Sequence, residues 1–150
     1  MGLHIVLIEP EIPNNTGNIG RLALATGSTL HLVKPFGFEL TDKRLKRAGL
    51  DYWQHLNVVT YENQDAFFEE HVDEEMIFFS ANAERTVWDV HFKEELFLVF
   101  GQESVGLPKS LLTKNELHTV KIPLYSDKIR SLNLSNAVAI SIYEALRQIQ

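Results

Sequence analysis

The sequence predicts an α/β fold: a mostly parallel β-sheet with helices on both faces. Two observations carry that prediction. Short, continuous apolar runs alternate along the whole chain with stretches of helical periodicity. Two of the later apolar runs also end in tight turns of small and polar residues that open on a helix, as strands of open α/β sheets do at a ligand-binding edge.

The elements follow in order. His4-Ile-Val-Leu-Ile8, bounded by Glu9-Pro10, reads as a buried strand. Residues 16–26 read as a helix with Ile19, Leu22, Ala23 and Ala25 on its buried side, ended by Gly27-Ser28. Residues 29–33 form a second strand. Thr41-Asp42 caps a short basic helix running to Ala48. A strand at 58–60 and a helix at 63–71, with Phe67 and Phe68 inward, come next. Strands at 76–80 and 96–100, a helix at 110–117, a sixth strand at 119–123 and a last helix at 133–148 complete the pattern. In that last helix Val138, Ile142, Ala145 and Ile149 make one apolar stripe. Ala137, Ile140 and Tyr143 lie off it. Either the helix is sandwiched within its own core or its second face meets a partner.

Bulk properties bound the function. The length of 150 residues fits one domain, 1–150, with room for a real core. No run reaches the length of a membrane span, and the amino terminus lacks the pattern of an export signal, so a cytoplasmic protein without membrane association is expected. Absence of cysteine excludes a disulfide framework, a thiolate nucleophile and Cys-based metal sites. A net charge of −6 argues against coating nucleic acid through bulk charge. The histidines show neither metal-ligand spacing nor any other constellation, so no metal is expected.

Three phrases carry the chemistry. They are Asn14-Asn-Thr-Gly-Asn-Ile-Gly-Arg21 after the first strand, Phe100-Gly-Gln-Glu-Ser-Val-Gly-Leu-Pro108, and Ile122-Pro123 leading into Arg130-Ser-Leu-Asn-Leu-Ser-Asn136. In order and spacing they resemble the three motifs of SPOUT-class RNA 2′-O-ribose methyltransferases, over the whole chain. Within that class the chain looks most like the minimal bacterial enzymes that methylate the ribose of wobble nucleotide 34 in certain leucine tRNAs. Glu9-Pro-Glu-Ile-Pro13 and Asp42-Lys-Arg-Leu-Lys-Arg-Ala-Gly-Leu-Asp-Tyr52 are typical of that subgroup.

The resemblance implies a carboxyl-terminal deep trefoil knot, an exception to the rule against threaded chains. It implies S-adenosylmethionine as cofactor, released as S-adenosylhomocysteine, and a homodimer through the first and last helices. It implies the tRNA anticodon stem-loop as substrate, with no separate RNA-binding domain. Carried over by position, the backbone at Gly101, Ile122 and Ser131 holds the cofactor, with Leu132 and Asn136 close by and a further contact at Phe79 or Ser80. Glu103 and Gly106 belong to the same loop. Ser131, Asn136 and Arg21 are the expected catalytic group.

Each residue has a plainer reading beside this one. Gly101 and Gly106 let backbone approach a ligand, or they simply serve the turn. Glu103 orients the loop or favours the cationic sulfonium, or it caps the helix that follows. Arg21 cannot be a literal base, because a guanidinium stays protonated. Its expected work is to grip the phosphate beside the target ribose and stabilise the forming alkoxide. Asn15, Asn18 and Asn133 suit capping, whereas Asn136 lies past the capping position. Lys43, Arg44, Lys46 and Arg47 form the one concentrated basic run, either a solvated helix face or a phosphate grip; Tyr52 and Trp53 beside it could stack anticodon bases.

Three rivals are weighed against this. A relative could modify another tRNA or rRNA site, or bind RNA without catalysis. A dehydrogenase-like nucleotide enzyme is opposed by the absence of G-x-G-x-x-G or G-x-x-x-x-G-K-[ST] after the first strand.

Overall fold

The computed structural model describes residues 2–39 and 51–150. The first strand, β1 (His4–Ile8), runs through the middle of the sheet because alternate side chains are wanted on both faces. Ile5 and Leu7 enter one core, and Val6 and Ile8 the other. That is the strand period of two applied to a run with no polar interruption.

Helix α1 (Pro13–Thr26) begins three residues earlier than its apolar periodicity suggests. Proline lacks the N–H that a first-turn residue cannot use anyway, so Pro13 sits at the helix start without penalty. The helix ends at Gly27, whose φ of 65° is the left-handed conformation that glycine adopts freely, and Ser28 N–H returns to Ala23 O at 2.8 Å. Strands β2 (Thr29–Val33) and β3 (Val58–Tyr61) follow, then α2 (Gln64–Glu70), whose Asn63 cap accepts from the Ala66 N–H at 2.8 Å.

Strand β4 (Met76–Phe79), the two-residue β5 (Arg85–Thr86), β6 (Phe97–Phe100), α3 (Lys109–Lys114), β7 (Thr119–Lys121) and α4 (Leu134–Ile149) complete the described chain. Strand β5 is an addition to the six expected strands; two residues are too few to carry a periodic signal. The helix expected over 110–117 stops at Lys114, and a 3₁₀ turn, Glu116–His118, replaces its end. The strand expected to reach Pro123 ends at Lys121, consistent with the ladder donor that proline lacks.

The seven strands lie in the order β3-β2-β1-β6-β4-β7-β5, and every pairing is parallel. Ile19 and Ala23 of α1 and Val138, Ile142 and Ala145 of α4 cover one face. Phe67 of α2, with Leu111 and Leu112 of α3, covers the other. Helix α4 buries Val138, Ile142 and Ala145 of the expected stripe, with Ile149 partly buried, and packs on α1, while Ile140 and Tyr143 remain exposed at 36% and 55%.

The histidines correct one expectation. Rather than being scattered, three of them form a hydrogen-bonded chain through the α2-side core. His4 Nδ1 lies 2.8 Å from His31 Nε2, His31 Nδ1 2.8 Å from Tyr61 Oη, and Tyr61 Oη 2.9 Å from His71 Nε2. Register explains it: His4, His31 and Tyr61 sit on three adjacent parallel strands, and residues far apart in sequence carry no local signal of that.

Candidate active site

The sheet order places the ends of β6, β4 and β7 side by side at one edge. Gly101 follows β6, Ser80 follows β4 and Ile122 follows β7, so three of the expected cofactor contacts come together at the carboxyl ends of adjacent strands. Ser80 N–H donates to Val120 O at 3.0 Å, tying two of those ends, and Ser80 Oγ accepts from Asn82 N–H at 3.3 Å. Phe79 and Phe100 stack with ring centroids 4.4 Å apart beneath this edge, and half-buried Ile122 and Leu132 add apolar surface. Main-chain groups and apolar walls of this kind suit an adenosyl moiety better than a metal. Among the described residues no group of three His, Asp or Glu side chains is placed to hold a metal ion.

The turn after β6 closes on itself. Gln102 N–H donates to Gly106 O at 3.3 Å and Gly106 N–H to Gln102 O at 2.9 Å. A Cβ on Gly101 would stand 2.2 Å from Gly106 C and Leu107 N, and Gly106 has a φ of 71°. Both glycines are therefore demanded by the turn itself. A groove of about 280 Å³ runs along the turn, lined by Ile8, Glu9, Gln64, Val105, Gly106 and Pro108 among others. It includes Gly106 of the expected cofactor residues but none of Ser80, Ile122 or Ser131, so it follows the turn and not the ends of β4 and β7.

Glu103 acts as a cap, but not on the helix that follows it. Its carboxylate accepts from Glu11 N–H and Ile12 N–H, each at 2.9 Å, and from Asn15 Nδ2 at 3.2 Å. It serves the amino terminus of α1, where Ile12 provides no side-chain cap and the dipole favours a negative charge. Glu11 reciprocates by accepting from Ser104 N–H at 2.9 Å and Ser104 Oγ at 2.7 Å. Those hydrogen bonds from Ser104 hold the Glu11 carboxyl below its ordinary value. Two glutamates thus lock the segment that opens α1 to the turn after β6.

Asn15 extends the web. It is 5% exposed, donates to Glu103, and accepts through Oδ1 from Asn133 Nδ2 at 3.2 Å. Asn133 in turn caps α4, its Oδ1 accepting from Ser135 N–H at 2.9 Å, Asn136 N–H at 3.4 Å and Ser135 Oγ at 2.6 Å. All three motifs meet through Glu103, Asn15 and Asn133. From sequence alone the two asparagines suit capping and Asn136 is the favoured site residue. The structure leaves Asn136 exposed on the first turn of α4 and gives the connecting position to Asn133. No local pattern distinguishes the two; the link spans 118 residues. Ser131 is exposed just before that cap.

Arg21 lies exposed on α1, one turn beyond Gly17. Its Cζ stands 5.8 Å from the centroid of the Tyr52 ring, and the Tyr52 hydroxyl donates to Gly17 O at 2.8 Å. Tyr52 and Trp53 belong to a 3₁₀ turn, Asp51–His55, that rests against α1. Lys43, Arg44, Lys46 and Arg47 lie outside the described residues, as does the short helix expected there.

Comparison with known proteins bears on the family and the fold. The model of the SpoU rRNA Methylase family matches residues 2–143. The tRNA (cytidine(34)-2′-O)-methyltransferase of Saccharophagus degradans is 47% identical over 147 residues, covering 97% of this chain and 95% of that protein. A solved structure described in terms of the 2′-OH methylation of C/U34 on tRNA superposes with a TM-score of 0.89 at 45% identity, covering 97% and 95% of the two chains. At the level of fold alone, the SpoU methyltransferase AviRb of Streptomyces viridochromogenes, solved with its cofactor AdoMet, matches with a TM-score of 0.84 at 24% identity, over 98% of this chain and 57% of that one. With most of its length matched and close relatives at nearly half identity, this chain belongs to the SpoU rRNA methylase family.

Proposed function

We propose that this chain transfers a methyl group from S-adenosylmethionine to the ribose 2′-hydroxyl of the wobble nucleotide, position 34, in leucine tRNAs, accepting cytidine or modified uridine. The observation that carries this reading is the edge where β6, β4 and β7 end together, locked to α1 and α4 by Glu103, Asn15 and Asn133. The relative from Saccharophagus degradans supports cytidine 34 as the target.

S-adenosylmethionine, when bound, supplies a methyl group already activated on a sulfonium that leaves as a neutral thioether. The protein then has to place the ribose in line with that methyl and help remove one proton. The main chain at Gly101, Ile122 and Ser131, with Ser80, Leu132 and Asn136 nearby, holds the adenosyl end. Arg21 grips the phosphate beside the target ribose and stabilises negative charge as it develops on the 2′-oxygen. Phosphate or water takes the proton, since a guanidinium cannot. Ser131 and Asn136 steer the two reactants. Lys43, Arg44, Lys46 and Arg47 supply a local phosphate grip on the anticodon stem-loop despite the acidic body.

The same reading makes the whole of 1–150 one cytoplasmic catalytic domain, its carboxyl-terminal part threaded as a deep trefoil knot. The late insertion of β7 between β4 and β5 supports that threading. It also makes the protein a homodimer through α1 and α4, supported by the exposed Leu24, Ile140 and Tyr143 on those helices. The test is transfer of labelled methyl from S-adenosylmethionine into bulk tRNA, followed by mapping of the modified nucleotide. Label on the wobble ribose of leucine tRNA is expected; label elsewhere, or none, sinks the assignment. In the same assay Arg21→Lys should keep cofactor binding and lose most transfer, because a point charge cannot replace a bidentate fork.

A further inference from the structure

Gly17, Gly20 and Arg21 fall at positions i, i+3 and i+4 of α1 and so share one helix face. The two glycines leave a bare shelf beside the arginine, and the 3₁₀ turn Asp51–His55 is seated on it. The fit is close. A Cβ on Gly20 would stand 2.4 Å from Trp53 Cζ3, 3.0 Å from Trp53 Cε3 and 3.2 Å from Leu56 Cδ2. Tyr52, next in line, sends its hydroxyl to Gly17 O at 2.8 Å. In an α-helix that carbonyl is also the acceptor for the N–H of residue 21. The same tyrosine presents its ring to the Arg21 guanidinium, with Cζ 5.8 Å from the centroid.

We propose that Tyr52 is a positioning residue for Arg21, fixing the helix turn through its hydroxyl and the guanidinium through its ring, in place of the base-stacking role its sequence context suggests. This rests on the reading of Arg21 as the group that meets the substrate phosphate. Contact with a ring face uses none of the five guanidinium N–H donors, so the fork stays open to an anion. Among the described residues no carboxylate forms a salt bridge with Arg21 to compete for it. Burial pushes the Tyr52 hydroxyl above its ordinary value, against the opposing pull of Arg21. It therefore remains a donor to Gly17 and offers no base to the reaction. The seat also gives purpose to the spacing Gly17-Asn-Ile-Gly20-Arg21, which has no nucleotide-binding meaning inside a helix.

The experiment is a double-mutant cycle on methyl transfer into bulk tRNA, with S-adenosylhomocysteine affinity and melting temperature measured on every variant. Tyr52→Leu removes both contacts, and Tyr52→Phe removes only the hydroxyl. In the wild-type background, Tyr52→Leu should lower transfer about tenfold and Tyr52→Phe about threefold, with cofactor affinity unchanged. In the Arg21→Lys background, Tyr52→Leu should cost less than about twofold, because there is no fork left to position. Equal losses in both backgrounds would mean that Tyr52 meets the RNA by itself, overturning the proposal while leaving Arg21 in place. Full activity of Arg21→Lys alone would overturn the reading of Arg21 and this inference with it. Should Tyr52→Leu fail to fold, Tyr52→Phe in the two backgrounds reads the same coupling.

Discussion

Lowering the pH should destabilise this protein well before its carboxylates begin to protonate, because of one buried histidine. His31 is 3% exposed in the middle of β2, and its imidazole is pushed down to about 3 by burial first and by the neighbouring His4 and His71 second. One arrangement of neutral rings satisfies the whole chain. His71 Nε2–H donates to Tyr61 Oη, Tyr61 O–H to His31 Nδ1, His31 Nε2–H to His4 Nδ1, and His4 Nε2–H to Glu95. Protonating His31 turns an acceptor into a donor and sets it against the Tyr61 O–H. The folded pKa lies below the ordinary 6.5, so the unfolded chain binds more protons as pH falls through 6.5. Stability is complete above that value and is lost progressively down to about 3. From those two values the loss is about 2 kcal/mol at pH 5, on the way to a ceiling of about 5 kcal/mol. Glu11, Glu95 and Glu144 are held below the carboxylate value of 4.5, so their contributions vanish only in stronger acid. Urea midpoints at about pH 7.5 and pH 5, at one protein concentration, measure the effect. His31→Gln, which cannot titrate, should show a pH difference smaller by about 2 kcal/mol whatever its absolute stability. Equal pH differences in the variant and the wild type would refute the argument.

Two further outcomes follow from the site. Gly101→Ala forces a Cβ into backbone at 2.2 Å, where no side chain can yield. We expect a loss of about 3 kcal/mol or more in stability, seen as a lower urea midpoint, together with failed binding of S-adenosylhomocysteine. Glu103→Gln keeps the shape of the cap but removes the charge that faces the start of α1. It should cost about 1–3 kcal/mol in the same denaturation measurement and weaken cofactor binding by calorimetry, since the turn it anchors carries Gly101; an unchanged midpoint would show that the cap contributes little.

What the sequence revealed, and what it hid, divides along physical lines. Strands β1 and β2 are readable residue for residue because each is a short, mostly apolar run closed by turn residues, although His31 in the middle of β2 is polar. The two glycines of the 101–106 turn are visible as turn residues, since backbone conformation is a local property. The register that brings His4, His31 and Tyr61 into one line is a property of the sheet and leaves no mark on any single segment. The same holds for Asn15 and Asn133. Each looks like an ordinary helix-start amide, and only the return of α4 onto α1 makes them partners.

That division bears on how the site is built. The long-range hydrogen bonds that join the three motifs and the segment opening α1 run between polar side chains or from side chain to main chain, at or just before a helix start. Helix starts have unpaired donors that must be satisfied somewhere. By tying Glu11 and Ile12, which lead into α1, to Glu103 rather than to a cap of its own, the chain makes the stability of its first helix depend on the closed turn after β6. If the reading of that turn as a cofactor seat holds, ligand that orders it must tighten α1 and with it Arg21, and linkage requires the converse. Hydrogen exchange of the α1 amides should therefore slow on adding S-adenosylhomocysteine, although α1 makes no proposed contact with it. In Glu103→Gln, with the connection weakened, the slowing should shrink; exchange in α1 that ignores the ligand in the wild type would break the argument at this step.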